Sequence, residues 1–235
     1  MTPAALEELS RASGLPLEAY RRSHVFRSVR RALEREHLID QASLAAYLRN
    51  DEAACSRFRR SIAVSVSRMF RDPGQFELLE HELLPLLLAD GRELTVWSAG
   101  CADGSELASL ALLLDRLGAI KRASLLGSDV LVENLVAATR LARDGSLAAQ
   151  VRSRLRWEHR DLVRDGAPEG PWRLVICRNL AIYLNPEAKT TLHATLAGAL
   201  ASDGVLLLGR SERLSSPQAL GLERVGAHAY RKVRG

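Results

Sequence analysis

The stretch Leu94-Thr95-Val96-Trp97-Ser98-Ala99-Gly100-Cys101-Ala102-Asp103-Gly104-Ser105-Glu106 decides the fold. It opens as an apolar run of strand length, passes into a turn of small residues and enters a helical pattern that continues to about residue 117. The same alternation recurs downstream. Apolar runs at Ser124–Ser128, Leu155–His159, Leu174–Cys177 and Val205–Leu208 frame helical stretches near 131–143 and 187–200. Strands that alternate with helices predict a mostly parallel sheet covered on both faces. The tail, Leu222–Val225 and His228–Val233 around Gly226-Ala227, reads as an antiparallel hairpin closing that sheet.

Upstream the texture differs. Residues 1 to about 90 contain no strand pattern, and apolar side chains recur at helical spacing at Tyr20, Val25, Val29, Leu33 and Leu38, and again at Phe58, Ile62 and Val66. Ser43 and Asp51 are expected helix caps, and Asp72-Pro73-Gly74 is a turn that opens a helix ending near Gly91. The expectation is a small all-α domain over 1–75 followed by an α/β domain over 76–235.

Composition narrows the class. Of 235 residues 47% are hydrophobic and 26% charged, a soluble globular balance. The excess of 33 basic over 28 acidic residues gives +5, a mild charge compatible with an anionic protein surface as partner. Cys55, Cys101 and Cys177 are too few and too scattered for a disulfide framework or a zinc knuckle, so no metal site is expected. The densest apolar run, Leu83–Ala89, includes Pro85 and is too short to cross a bilayer, and the N-terminus lacks the layout of a signal peptide. A cytoplasmic protein is expected.

In open parallel sheets ligands sit beyond the carboxyl ends of the strands. Gly100 and Gly104, after Ala99, either let backbone approach a ligand or simply make a tight strand-to-helix turn. The segment is neither GxGxxG nor a lysine-bearing phosphate loop. Asp129, about 25 residues beyond Gly104, stands near the spacing at which an acid meets ribose hydroxyls, or else caps the next helix. Further junctions are Asp161-Leu162 and Cys177-Arg178-Asn179-Leu180-Ala181-Ile182-Tyr183. A nucleoside pocket without a phosphate cradle favours S-adenosylmethionine over a dinucleotide.

Together Val66-Ser67-Arg68-Met69-Phe70-Arg71-Asp72-Pro73, Val96-Trp97-Ser98-Ala99-Gly100-Cys101, Ser128-Asp129, Cys177 to Tyr183 and Gly209-Arg210-Ser211-Glu212 resemble the chemotaxis protein-glutamate O-methyltransferase (CheR) family, in that family's order. The resemblance spans nearly the whole chain. It implies the Rossmann-like fold of S-adenosylmethionine-dependent methyltransferases, with S-adenosylhomocysteine as product, and methyl-esterification of glutamates on the cytoplasmic helices of chemoreceptors. It further implies that Ser65, Ser67, Ala99, Gly100, Gly104, Glu106, Asp129, Asp161, Leu162, Arg178 and Asn179 bind the cofactor, and that Arg71 and Tyr183 act at the transferred methyl. The family's Gly-Glu-Glu-Pro-Tyr-Ser motif is altered here to Gly104-Ser105-Glu106-Leu107-Ala108-Ser109, and Arg210 replaces a histidine. From Asp129 to Asp161 there are only 32 residues, too few for the β-subdomain that many members insert. A compact member independent of a receptor tether is therefore expected.

Transfer to a carboxylate needs no general base, since the nucleophile is ionised at neutral pH. The N-terminal region, residues 1–71, holds 13 arginines against 8 acids, concentrated at Arg21, Arg22, Arg27, Arg30, Arg31, Arg35, Arg57, Arg59 and Arg60. These form either a solvated face or a docking surface for acidic receptor helices or another acidic protein. Nucleic acid is disfavoured, because aromatics are only 5% and none interleave with the basic stripe. The rival function is a relative that has lost turnover and serves as a cofactor-binding scaffold or sensor in a signalling pathway.

Overall fold

Helices begin where a side chain satisfies the first free backbone N–H groups. Thr2 caps α1 (Pro3–Ser13) by accepting from Ala5 N, and Gly14 ends it in the left-handed conformation. α2 spans Arg22–Arg35 and buries Val25, Ser28, Val29 and Ala32. At α3 (Gln41–Asn50) the cap is Asp40, not Ser43: the Asp40 carboxylate accepts from Ser43 N, and the Ser43 side chain reaches back to the backbone of Asp40. Ser43 is thus the third residue of a reciprocal capping box, which sequence alone had read as the cap. Asp51 caps α4 (Glu52–Ala63) as expected.

The structure, a computed structural model, describes residues 1–65 and 67–233. Val66, the third apolar position expected after Phe58 and Ile62, lies outside them. The chain divides into two compact units. The helical unit comprises Met1–Ser65 and Leu180–Thr190. Its core is Leu9, Leu17, Val25, Leu44, Phe58 and Ile62, each fully buried. The later segment is stitched in by backbone bonds, from Arg21 N to Tyr183 O at 2.9 Å and from Asn185 N to Ala19 O at 2.9 Å.

The α/β unit comprises Val66–Asn179 and Thr191–Gly235. It starts with α5 (Pro73–Leu78), a widened π-type turn over Leu79–Leu83 and α6 (Leu84–Leu88). Pro85 has no N–H for a regular helical bond, and the wider turn relieves its ring. There follow β1 (Leu94–Ala99), α7 (Ser105–Arg116), β2 (Ala123–Asp129), α8 (Val132–Arg143), α9 (Ala149–Arg152), β3 (Leu155–His159), β4 (Trp172–Cys177), α10 (Pro186–Ala199, of which the residues up to Thr190 count with the helical unit), β5 (Leu200–Leu208), β6 (Leu222–Gly226) and β7 (Ala229–Lys232).

The strands form one sheet in the order β3-β2-β1-β4-β5-β7-β6. The first five run parallel, while β7 is antiparallel to both β5 and β6. This is the expected α/β sheet with a C-terminal hairpin. Central strands are apolar throughout because both faces are covered: Val96, Leu174, Ile176, Val205 and Leu207 join one core cluster, and their neighbours Trp97, Val175 and Leu206 are equally buried. β5 starts five residues before the apolar run at Val205, where Gly204 closes on the carbonyls of Trp172 and Ala201. Those early residues look like the end of a helix in sequence, since only their pairing with β4 makes them strand.

Candidate active site

Of the six described left-handed residues of the α/β unit that are not glycine, Asp203 and His228 lie elsewhere, and four gather at or beside the carboxyl ends of β1 and β4: Phe70 (φ 51), Asp72 (φ 60), Ala102 (φ 48) and Asn179 (φ 61). Each such backbone costs on the order of 1 kcal/mol or more and persists only where surroundings hold it, a pattern that clusters at functional sites.

Phe70 and Asp72 flank Arg71. Phe70 N donates to Ser109 Oγ at 2.9 Å, and its ring meets Phe76 edge-on at 5.2 Å. On the other side, the Arg178 guanidinium donates to Arg71 O at 2.8 Å and to Asp72 Oδ2 at 2.7 Å. It also donates to Gln75 Oε1 at 2.7 Å and to Glu106 Oε2 at 3.1 Å. With its side chain only 4% exposed, Arg178 is a buried cross-brace joining the end of β4 to the Arg71 turn and to α7. Gln75 extends the brace by donating to Leu208 O at 2.7 Å, at the end of β5. Glu106 receives a second donor, Ser98 Oγ, at 2.7 Å.

The two glycines of the turn after β1 serve different ends. Gly100 adopts φ 76 and donates, like Cys101, to Ser128 O. Gly104, at φ 80, is required by packing: a Cβ there would lie 2.7 Å from Ala138 Cβ and 2.7 Å from the Trp157 ring. Asp129 spans this loop and the next. It accepts from Ala102 N at 2.9 Å, Leu131 N at 2.9 Å and Asn134 Nδ2 at 3.0 Å. Burial pushes its carboxyl above the usual aspartate range, and these three donors offset part of that. So the acid braces the loop after β1 and the turn leading into α8, whose N-cap is Leu131; it is not the helix cap that the spacing offered as one alternative.

A carboxylate offers about four lone-pair sites. Three are filled on Asp129 and two on Glu106 by the bonds above, so both acids retain acceptor capacity for the hydroxyl or amine of a nucleoside ligand. That fits S-adenosylmethionine. Asp161 instead organises its own turn, accepting from Val163 N at 3.0 Å and Arg164 N at 3.3 Å, with Leu162 buried beside it. Ser67 is half-buried in the α/β unit. The thiols of Cys101 and Cys177 are pushed well up by burial and by nearby carboxylates, so neither is a nucleophile. Among the described residues no group of side chains could hold a metal.

The structure thus brings together Ala99, Gly100, Gly104, Glu106, Asp129, Arg178, Asn179 and Arg71 at the carboxyl ends of β1, β2 and β4. Ser65 and Tyr183 belong to the helical unit, where the Tyr183 ring lies 5.0 Å from that of His24. Sequence reasoning missed Asp72, Gln75, Ser109, Asn134 and Trp157. Their roles arise from long-range packing, and only Asp72 and Ser109 carried a local signal, being next to Arg71 or inside the altered glycine segment.

On the helical unit, Arg22, Arg27, Arg30, Arg31 and Arg60 are exposed. Arg30 pairs with Glu34 at 3.5 Å and Arg57 with Glu36 at 3.1 Å, while Arg59 pairs with Glu52. Arg22, Arg27 and Arg31 of α2, and Arg60 of α4, carry no ion pair among the described residues, leaving the exposed face of α2 with unbalanced positive charge.

A family model described as "CheR methyltransferase, SAM binding domain" matches residues 65–149 and 142–227. A chemotaxis protein methyltransferase of Listeria monocytogenes is 27% identical over 248 residues, covering 96% of this chain and 94% of that protein. Its counterpart in Listeria innocua is 26% identical with the same coverage. Chemotaxis protein methyltransferase 1 of Pseudomonas aeruginosa is 28% identical over 179 residues, 63% of this chain and 65% of that protein.

Proposed function

Because this chain belongs to the CheR methyltransferase family and carries its S-adenosylmethionine-binding domain, we propose that it methyl-esterifies glutamate side chains of chemoreceptors without the aid of a tether peptide. The observation that carries this reading is the Arg71 turn, strained on both sides and pinned by Ser109 and Arg178. A strained turn held so firmly points to a side chain whose aim matters.

The chemistry asks for little else. The substrate carboxylate is already ionised, so catalysis is positioning: oxygen, methyl carbon and sulfur in line at about 3 Å. The Arg71 guanidinium would hold the carboxylate by its paired donors. Asp129 and Glu106, through their remaining lone pairs, would hold the methyl donor, which supplies the electrophilic carbon; Gly100 allows close backbone approach and Asn179 lines the end of β4. Arg178 would act through Arg71, Glu106 and Asp72, keeping them in place. The acidic receptor helices would meet the arginines of α2.

Tether independence rests on the interval from Asp129 to Asp161, which is filled by α8, α9 and β3. The test is incubation with tritiated S-adenosylmethionine and receptor cytoplasmic fragments. Label released as methanol by mild base, from receptors with and without their C-terminal residues, is expected. Base-stable label, or none, would overturn the proposal.

A second reading is favoured by one observation: Glu106 and Asp129 already hold five protein donors between them. A member whose acids serve chiefly as braces would bind the cofactor and act as a scaffold or sensor. Heat with S-adenosylhomocysteine in a calorimeter, without turnover on any receptor, would select this reading.

A further inference from the structure

Glu212, in the segment Gly209-Arg210-Ser211-Glu212, has no part in the site as described so far, yet it is 1% exposed. Its Oε2 accepts two backbone N–H groups from different strand ends: Asn179 N at 2.7 Å, beyond β4, and Gly209 N at 3.0 Å, beyond β5. Its own backbone is fixed on both sides, Glu212 N donating to Gly209 O at 2.9 Å and the His228 ring meeting Glu212 O at 2.8 Å. Glycine at 209 leaves room for this contact, since a Cβ would lie 2.5 Å from Oε2 and 2.9 Å from the backbone N of Asn179. The second oxygen, Oε1, is buried with no hydrogen-bond partner among the described residues. An unmet buried acceptor is uncommon and calls for an explanation beyond packing.

What the carboxylate secures is Asn179 at φ 61, a conformation a non-glycine residue adopts only under restraint. The residue before it is Arg178, whose guanidinium holds Arg71 O, Asp72, Gln75 and Glu106. We propose that Glu212 is a positioning residue of the active site: its carboxylate locks the Arg178–Asn179 turn and thereby sets the cofactor-facing end of β4. This rests on the S-adenosylmethionine reading above. Supporting residues of this kind are worth about ten- to a hundredfold where measured around metal sites.

The test is calorimetric titration of S-adenosylhomocysteine into the full chain and its variants, with melting curves alongside. Wild type must bind first; no heat there overturns the cofactor reading itself. Glu212→Ala is expected to lose about tenfold or more in affinity while remaining folded at the assay temperature. Glu212→Gln keeps an acceptor oxygen at the same reach, and is expected to bind within about threefold of wild type, a change under about 1 kcal/mol. A purely structural role would move the melting curves but not the affinity of the folded protein. Affinity unchanged in Glu212→Ala, or lost equally in Glu212→Gln, therefore overturns the proposal. Should Glu212→Ala not fold, Glu212→Asp replaces it: one methylene shorter, it cannot span both N–H groups, and binding equal to that of Glu212→Gln would overturn the assignment.

Discussion

The guanidinium of Arg178 donates at 2.8 Å to the backbone carbonyl of Arg71, 107 positions earlier in the chain. One buried arginine thus holds the backbone of another, and the proposed reaction assigns the second to the substrate carboxylate. The division of labour predicts opposite phenotypes for the two.

Arg71→Ala removes the group that would grip the substrate carboxylate, without touching the brace. Methyl transfer is expected to fall by about a hundredfold or more, with the affinity for S-adenosylhomocysteine nearly unchanged. Single-turnover transfer and calorimetry on the same preparation check this. Retained turnover would remove Arg71 from the site.

Arg178→Met should damage folding instead. It leaves the half-buried carboxylates of Asp72 and Glu106 without their cation, a loss of about 1–3 kcal/mol. Urea denaturation would show it. A loss under about 1 kcal/mol would mean that the brace is not a unit.

At Gly104, alanine meets Ala138 and the Trp157 ring at 2.7 Å and a backbone φ of 80. A destabilisation of about 2–4 kcal/mol is expected, combining overpacking with left-handed strain. Trimming Trp157 to leucine in the same chain should recover part of it. If no recovery is seen in the double variant, the strain lies in the backbone and the Ala138 contact and not against the Trp157 ring.

The pH dependence of Asp129 has a definite sign. Burial raises its folded pKa above the ordinary 3.8, so the folded state holds the proton more tightly than the unfolded chain. Below 3.8 both states are protonated. As pH climbs from there through the raised value, the unfolded state ionises first and stability is lost. Relative to Asp129→Asn, which does not titrate, wild type should therefore lose stability as pH rises across that window. Urea titrations over a pH series measure the difference, and a gap that grows in wild type's favour with rising pH would contradict it.

Reversing Arg27, Arg30 and Arg31 to glutamate should weaken receptor docking in a salt-sensitive way, leaving cofactor affinity unaltered. Partner affinity that stays level would reduce the arginines of α2 to solvated surface.

The strand-helix alternation was legible from residue 94 onward because strands buried on both faces must be apolar throughout, and no distant contact is needed to see that. The caps were less so. Asp40 and Ser43 share one box, and only the backbone path shows which of the two stands at the helix start. Asp129 illustrates the same limit, since spacing marked it as an acid at a strand end but could not reveal that three donors converge on it.

Local chemistry, then, settled the order of elements, the small-residue turn after β1 and the residue types at the strand ends, because hydrophobic period and turn propensity act over a few neighbours. Which of those residues brace and which present themselves was decided only in three dimensions. Arg71 and Arg178 are both arginines beside polar neighbours in the chain; burial and four convergent acceptors make one of them a strut, through contacts 72 to 107 positions away that no local pattern encodes.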